Sequence, residues 1–395
     1  VTMATLPSIS LMSGLLIRDI AQHQTTRRKN VRRTRFASST LHIIDQPAIV
    51  TGATRIQLSD MASRPREGAN AMVTIFTHTT VVTVDHGGTV LYDAALAVDG
   101  NRIAAIGPTE DVVQGLPGAE LIEGRGKALF PGLINCHAHL ASSINRGITE
   151  DFGFPPDLHL PAQVRSLLSS EEVTIMALLG VLECIRSGNT TCLENAQGIA
   201  AYAEDLVKTG LRWVLAESGS DAKTPPEWKP GEDVFEFSPS LRDETVQRMH
   251  DLFATWHGFQ DNLVTCFGAA ALTEASSPKL LQAVRELAER HDVGYTVHLA
   301  QSRLEVESML RIRGVRPSAY LDANDFLGPR LIAAHCRYVD TSEIEMLGNA
   351  RTIVTHQPAM AANRGVIPPI SALRAGGCLI AMGTDNNTQD MVEVM

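Results

Sequence analysis

Regular alternation of apolar and polar positions begins at about Val73. The stretches VTIFTHTTVVTVD, TVLYDAALAVDG, RIAAIGP and ALFPGLI are short and β-rich, and Gly, Asn and Pro break them, a pattern that predicts hairpins. They are expected to build a small β-sandwich module over residues 71–130. After His139 the rhythm changes to strand-like apolar runs separated by helix-like segments, which predicts a parallel sheet with crossover helices. Eight runs occur: LFPGLINCH (129–137), TTCLEN (190–195), RWVLAES (212–218), LVTCFGAA (263–270), GYTVHLAQ (294–301), LIAAHC (331–336), TIVTH (352–356) and LIAMGTD (379–385).

The segments between the runs carry helix signals. Ser169 with Glu172 three residues later reads as a capping box, EEVTIMALLGVLECIRS has helical apolar spacing, and Gly188 supplies the stop. In SPKLLQAVRELAERHD, Leu280, Leu281, Val284 and Leu287 share one helical face. The fold class is therefore α/β, a (β/α)8 TIM barrel over residues 131–395. A doubly wound open sheet would want a Gly-rich phosphate turn after the first strand, and NCHAHL is not one.

Composition agrees with a globular chain of more than one small domain: 395 residues, 44% hydrophobic and 20% charged. No apolar run is long enough to cross a membrane as a helix. The net charge of -10 and the lack of a basic stripe interleaved with aromatics argue against nucleic acid as a partner. The expected partner is a small-molecule substrate, with no nucleic acid and no membrane; homo-oligomerisation stays open. Residues 1–70 differ, holding ten Lys and Arg against four acids. TTRRKNVRRTRFASST is Arg-rich, hydroxyl-rich and free of acids, so this segment is expected to be a disordered or targeting-like basic extension outside the fold. The six cysteines form no Cys-X-X-Cys pair, which fits small buried residues in a reducing, cytoplasmic setting, with organelle targeting as the alternative.

Candidate chemistry sits at the strand ends. His137 and His139 are two residues apart, so in an extended strand they share a face and reach one point. His298 and Gln301 close the fifth run, His335 the sixth, His356 the seventh and Asp385 the eighth. Barrel active sites are built at the C-terminal ends of strands, where these positions would converge. Imidazoles with a carboxylate suit Zn2+ or another late divalent metal.

PGLINCHAHL, VHLAQ, AAHC, VTHQP and GTD follow in the order and approximate spacing of the amidohydrolase superfamily, and residues 73 to the end resemble its branch of cytosine, guanine and adenosine-type deaminases and s-triazine hydrolases. The resemblance implies one divalent metal ion per chain, Zn2+ first and Fe2+, Co2+ or Mn2+ as alternatives. His137, His139, His298 and Asp385 would hold it, with His335 as a further ligand or as the group orienting the attacking water. Binuclear relatives bridge two metals through a modified lysine on the fourth strand, and LVTCFGAA offers none. Asp385 would take the water's proton and His335 would stabilise developing charge.

The implied reaction is hydrolysis of a non-peptide carbon–nitrogen bond, with metal-activated water attacking an amide, carbamate, urea-like or heteroaryl carbon. Deaminases of this branch carry a glutamate three residues after the fifth-strand histidine, where this chain has Gln301, which donates a hydrogen bond but cannot carry a proton across. Deamination or chlorohydrolysis of a nitrogen heterocycle is the alternative. His356 and Asn363 stand where relatives carry a histidine and a polar loop that touch substrate; Glu194, Asn195 and Glu217 end the second and third runs and are expected to face the pocket. Relatives continue beyond the GTD strand, so the β-module is expected to be incomplete, and a catalytically silent fragment is the second alternative.

Overall fold

A computed structural model describes residues 15–19, 73–146, 167–223 and 236–395. Two compact units divide these residues, one from Leu15 to Pro131 and one from Gly132 to Met395.

The first unit is a six-stranded sheet in the order β1-β6-β2-β3-β4, with β5 also on β2. Its strands are β1 (Leu15–Asp19), β2 (Thr74–Val82), β3 (Val90–Asp99), β4 (Arg102–Pro108), β5 (Glu120–Glu123) and β6 (Lys127–Pro131). The antiparallel β2–β3 and β3–β4 pairs are the hairpins the alternation predicts. Strands β5 and β6 instead run parallel to β2 and share one of its edges in succession, pairing with Thr74–Thr77 and with Thr80–Val81. Gly124 makes that switch: a Cβ there would lie 2.8 Å from Thr79 Cβ and 2.9 Å from Thr77 O, while its N–H donates to Thr77 O. Neighbouring positions of β2 enter separate apolar clusters, Ile75 with Ala95, Ala97 and Val112, and Phe76 with Ala94, Leu96 and Leu129, and the register shift after Phe76 brings Val81 into the second. Val112 belongs to a helix, Thr109–Gly115, absent from the hairpin reading.

The expectation that residues 1–70 stay outside the fold is corrected at five positions. Leu15–Asp19 pair antiparallel with β6, Leu15 opposite Pro131 and Asp19 opposite Lys127. An open sheet edge presents unpaired N–H and C=O groups, and a short strand laid there satisfies them. The rest of that segment, with its targeting-like reading, lies outside the described residues.

The second unit is the predicted barrel. Its strands are β7 (Leu133–Ala138), β8 (Asn189–Ala196), β9 (Arg212–Gly219), then, after the small pair β10 (Ala222–Lys223) and β11 (Glu236–Phe237), β12 (Val264–Leu272), β13 (Tyr295–Leu299), β14 (Leu331–His335), β15 (Ile353–His356) and β16 (Leu379–Met382). The barrel sheet is eight-stranded, and the pairings recorded along it are all parallel. It closes where Thr384 N and Asp385 N both donate to His137 O at 3.0 Å and His139 N donates to Asp385 O at 3.2 Å. Gly383 permits this approach, since a Cβ at that position would meet His137 Cβ at 2.8 Å.

Alternation along the strands sorts the core. Cys192, Trp213, Leu215, Cys266 and Val297 join the helices' Leu280, Leu281, Val284 and Leu287, while Leu193, Ala216 and Ala269 form a separate cluster with Phe267 and Ile332. Helix boundaries follow the caps. Ser169 and Glu172 make the reciprocal capping box of the helix Ser170–Arg186, and Gly188 follows it at φ 89°. Ser277 caps Pro278–His291, with the four predicted apolar residues buried. Each such burial contributes roughly 1.5–3 kcal/mol. Among the described residues no helix is long and apolar enough to cross a membrane.

Candidate active site at the barrel mouth

The closed barrel brings His137, His139, His298, His335 and Asp385 together from four strand ends. The ring centroid of His137 lies 4.7 Å from that of His139, 4.9 Å from that of His298 and 5.5 Å from that of His335. Two triads of ligand atoms lie mutually within 4.8 Å, His137–His139–His298 and His137–His335–Asp385.

Backbone carbonyls fix two of the tautomers. His139 Nδ1 donates to Asn195 O, and His298 Nδ1 donates to Ala271 O at 2.7 Å. Each ring therefore turns an Nε2 lone pair inward, and the two Nε2 atoms face each other at 3.1 Å. Facing lone pairs repel unless a cation or a proton lies between them. His137 adds to this, since both its ring nitrogens are buried without a hydrogen-bond partner. Burial first, and then the neighbouring imidazoles, hold His137 far below the usual histidine range; the same causes bring His298 down to about 4. His335 is likewise held far down, by burial and then by His298 and Arg337. Neutral imidazoles with inward lone pairs are the donor set a late divalent ion requires, so these residues fit such an ion.

Asp385 links the two triads: Oδ1 lies 3.7 Å from His139 Nε2 and Oδ2 lies 3.6 Å from His335 Nε2. Burial raises its carboxyl above the usual range, opposed by His298, Arg337 and Arg364. Its backbone is held from behind, where Gln389 Nε2 donates to Asp385 O at 2.7 Å and Asn135 bonds to Thr384. Ala300, His335, Cys336 and Asp385 all have positive φ (45°, 76°, 48° and 63°). Such non-glycine conformations cost about 1–3 kcal/mol each and persist where the surroundings enforce them, commonly at functional sites.

The other predicted residues separate. Gln301 follows β13 and is buried. His356 ends β15 with Nδ1 buried and unpartnered, and burial lowers its pKa. Asn363 lies exposed on a helix, Pro358–Arg364. Glu194 is turned to the frame: Oε2 accepts from Leu140 N at 2.9 Å and Oε1 from Tyr202 Oη at 2.7 Å, bracing the His139 loop. Glu217 similarly accepts from Gly198 N, Ile199 N and Arg248. Asn195 keeps its side-chain amide buried without a hydrogen-bond partner. The alternative of a catalytically silent fragment finds no support in this geometry, because every predicted ligand reaches the mouth.

Sequence reasoning missed three residues. Glu305 accepts from Ala300 N (2.8 Å), Gln301 N (2.7 Å) and Thr273 Oγ1 (2.7 Å), which fixes the turn after β13. Glu274, beyond β12, is its charged neighbour; burial pushes Glu274 up to about 7, and burial with Glu274 pushes Glu305 up to about 8. Arg337, two residues after His335, is buried. The spacing Ser302-x-x-Glu305 is visible in the sequence, but it reads as a helix start.

The sequence pattern of the amidohydrolase family matches residues 128–395. A 5-methylthioadenosine/S-adenosylhomocysteine deaminase of Pelotomaculum thermopropionicum is 29% identical over 327 residues, covering 80% of this chain and 71% of the relative. A 5'-deoxyadenosine deaminase of Methanobrevibacter smithii is 30% identical over 312 residues, covering 76% and 66%. Among solved structures, a zinc-bound adenosine deaminase of Xanthomonas campestris matches with a TM-score of 0.70 at 26% identity, over 81% of this chain and 71% of that one. A triazine hydrolase variant shares the fold, with a TM-score of 0.71 at 22% identity over 81% and 74%.

Proposed function

The chain belongs to the amidohydrolase family and is a hydrolase of carbon–nitrogen bonds other than peptide bonds, and on that premise we propose that its barrel mouth holds one zinc-class ion and hydrolyses a small molecule at an sp2 carbon bearing nitrogen. The carbon belongs to an amide, carbamate, urea-like or heteroaryl group. The observation that carries this reading is the unpartnered, buried His137 among three further imidazoles and Asp385. His137, His139, His298 and Asp385 are the ligands, with His335 beside them. When bound, such an ion lowers the pKa of a water molecule from 15.7 to about 7 and so supplies a nucleophile at neutral pH.

The chain's own groups do the rest. Asn195 O and Ala271 O hold two imidazoles in the tautomer that keeps Nε2 unprotonated. Asp385 accepts the proton of the attacking water and returns it to the departing nitrogen. His335, across 3.6 Å from Asp385, stabilises the oxygen on which charge develops. Gln301 donates a hydrogen bond from its carboxamide, which suits a leaving group that needs orientation more than a proton. His356 stands where the bound molecule would be touched. The setting is cytoplasmic, supported by the six unpaired cysteines.

A second reading is supported by the adenosine-derivative deaminases at 29–30% identity: release of ammonia from an amino-substituted purine. Two measurements decide. Elemental analysis of the full chain is expected to give about one ion per chain, lost in His298→Ala; a protein with no ion, or a variant that keeps it, overturns the metal site. In a substrate panel, turnover of amides, carbamates and ureas with little ammonia from 5'-deoxyadenosine supports the first reading, and the reverse supports the second.

A further inference from the structure

Several half-buried arginines of the barrel have partners among the described residues, whereas the more deeply buried Arg337 differs. Arg316 pairs with Glu343 and Asp340, Arg146 with Glu183 and Arg248 with Glu217, and the Arg313 guanidinium lies over Phe237 and Tyr320. Arg337 is 7% exposed, its Nε is buried without a partner, and among the described residues it forms no hydrogen bond or ion pair. Its place is fixed on both sides: Cys336 N donates to Leu299 O at 2.9 Å and Tyr338 N to Ala300 O at 3.0 Å, which clamps Arg337 against the end of β13 next to Gln301. The positive φ of His335 and Cys336 turns the chain into this clamp. Arg337 follows His335 at the C-terminal end of β14 and is held against the end of β13, the end of the barrel at which the mouth lies. The charges of Arg337 and Arg364 both favour the ionised form of Asp385.

A largely buried arginine whose Nε has no hydrogen-bond partner costs free energy that a carboxylate within reach normally offsets. Its planar fork matches two oxygens of one anion. We propose that Arg337 determines the specificity of this site, receiving an anionic oxygen pair, a carboxylate or a ring oxyanion with its neighbouring acceptor, on a planar substrate. The inference rests on the reading of the mouth as the substrate site but needs neither turnover nor a bound ion.

The test is calorimetric binding of two probes of one shape and different charge, benzoate and benzamide, to the full chain treated with chelator. Wild type is expected to bind benzoate at least tenfold more tightly. Arg337→Met is expected to bind the two alike, and Arg337→Lys to keep part of the preference through charge alone. Arg337→Gln replaces the methionine variant if its melt shows that it does not fold. A wild type that fails to discriminate, or that binds neither probe, overturns the proposal, as does a preference that survives in Arg337→Met. Repetition with zinc added separates the sources: a preference that needs zinc and ignores Arg337 places the anion on the ion and also overturns the proposal. A preference that depends on Arg337 in a chain binding no zinc upholds it while the metal reading fails.

Discussion

Two sets of buried polar groups meet at the C-terminal end of the barrel, and they are built in opposite ways. At the centre, the His137 ring has no hydrogen-bond partner, His139 and His298 turn lone pairs toward each other, and Asp385 and His335 sit on strained backbone. Immediately behind, the carboxylates are saturated. Glu194 takes Leu140 N and the Tyr202 hydroxyl, Glu217 takes two backbone amides and Arg248, and Glu305 takes two amides and Thr273. Asp221 binds Ser277 N at 2.8 Å and the Ser277 hydroxyl. Buried polar groups are normally satisfied, so a buried histidine with both ring nitrogens unpartnered among three further imidazoles and a carboxylate marks a place reserved for something else. The saturated ring is what keeps that cluster in position.

Substitutions on either side of this division should therefore fail differently. Asp385→Asn is expected to lower turnover by about 10³–10⁴-fold while the urea midpoint stays close to wild type. Comparable turnover in the variant would remove Asp385 from proton transfer. Glu305→Ala leaves Ala300 N, Gln301 N and the Thr273 hydroxyl without their acceptor, at about 1–3 kcal/mol for each buried group. The expected result is a stability loss on the order of 3–5 kcal/mol by urea denaturation, the reverse of the Asp385 pattern. A fully stable Glu305→Ala would mean that the ring is not the support described.

The central histidines and the Glu274–Glu305 pair behind them respond to pH with opposite signs. His298 falls to about 4 in the folded chain from an ordinary 6.5, so below 6.5 the unfolded chain takes up a proton that the folded chain refuses. The stability it contributes is present above 6.5 and is lost as pH falls toward 4, at about 1.4 kcal/mol per pH unit for one proton. His137 and His335, also held low, act in the same direction. Glu274 and Glu305 rise to about 7 and about 8 from 4.5, so the folded chain keeps protons that the unfolded chain has released. Their contribution is full below 4.5 and is lost as pH rises through 7 to 8. Chelator-treated protein should show a stability maximum near neutral pH in urea titrations between about pH 4 and 8.5. Glu274→Gln should flatten only the alkaline limb and His298→Gln only the acid limb; one variant flattening both would join two regions that are separate in this account.

The central set was legible in the sequence, and the ring behind it was not. Parallel strands buried on both faces leave short apolar runs, and His137, His298, His335 and Asp385 punctuate the ends of those runs. Ser169 and Glu172 announced a helix by local rules alone, and the helix formed. Glu305 has the same spacing from Ser302, yet its carboxylate turns back to Ala300 and Gln301, a choice made by the fold rather than by the local pattern. Non-local pairing hid β5 and β6 in the same way, since nothing in either strand names β2 as its parallel partner. Asn363 was assigned by order along the chain, whereas the helix Pro358–Arg364 turns it to solvent.

The smallest expected effect bears on the boundary between the two sets. Gln301 links the two: its backbone N–H is held by Glu305 in the ring, and it is buried just after β13, three residues on from His298. A carboxamide can orient a leaving group but not protonate it, whereas a carboxyl can do both. Gln301→Glu is therefore expected to raise ammonia release from an amino-substituted purine by about tenfold, a small part of the range open to acid–base catalysis. Fold stability should change little, because the interaction with Glu305 is made by the backbone. The gain should fade above neutral pH as the new carboxyl ionises beside Glu274 and Glu305. A variant that releases ammonia no faster than wild type, with unchanged binding of the purine, would mean that the proton for the leaving nitrogen already comes from Asp385. The central set would then be sufficient without help from the ring.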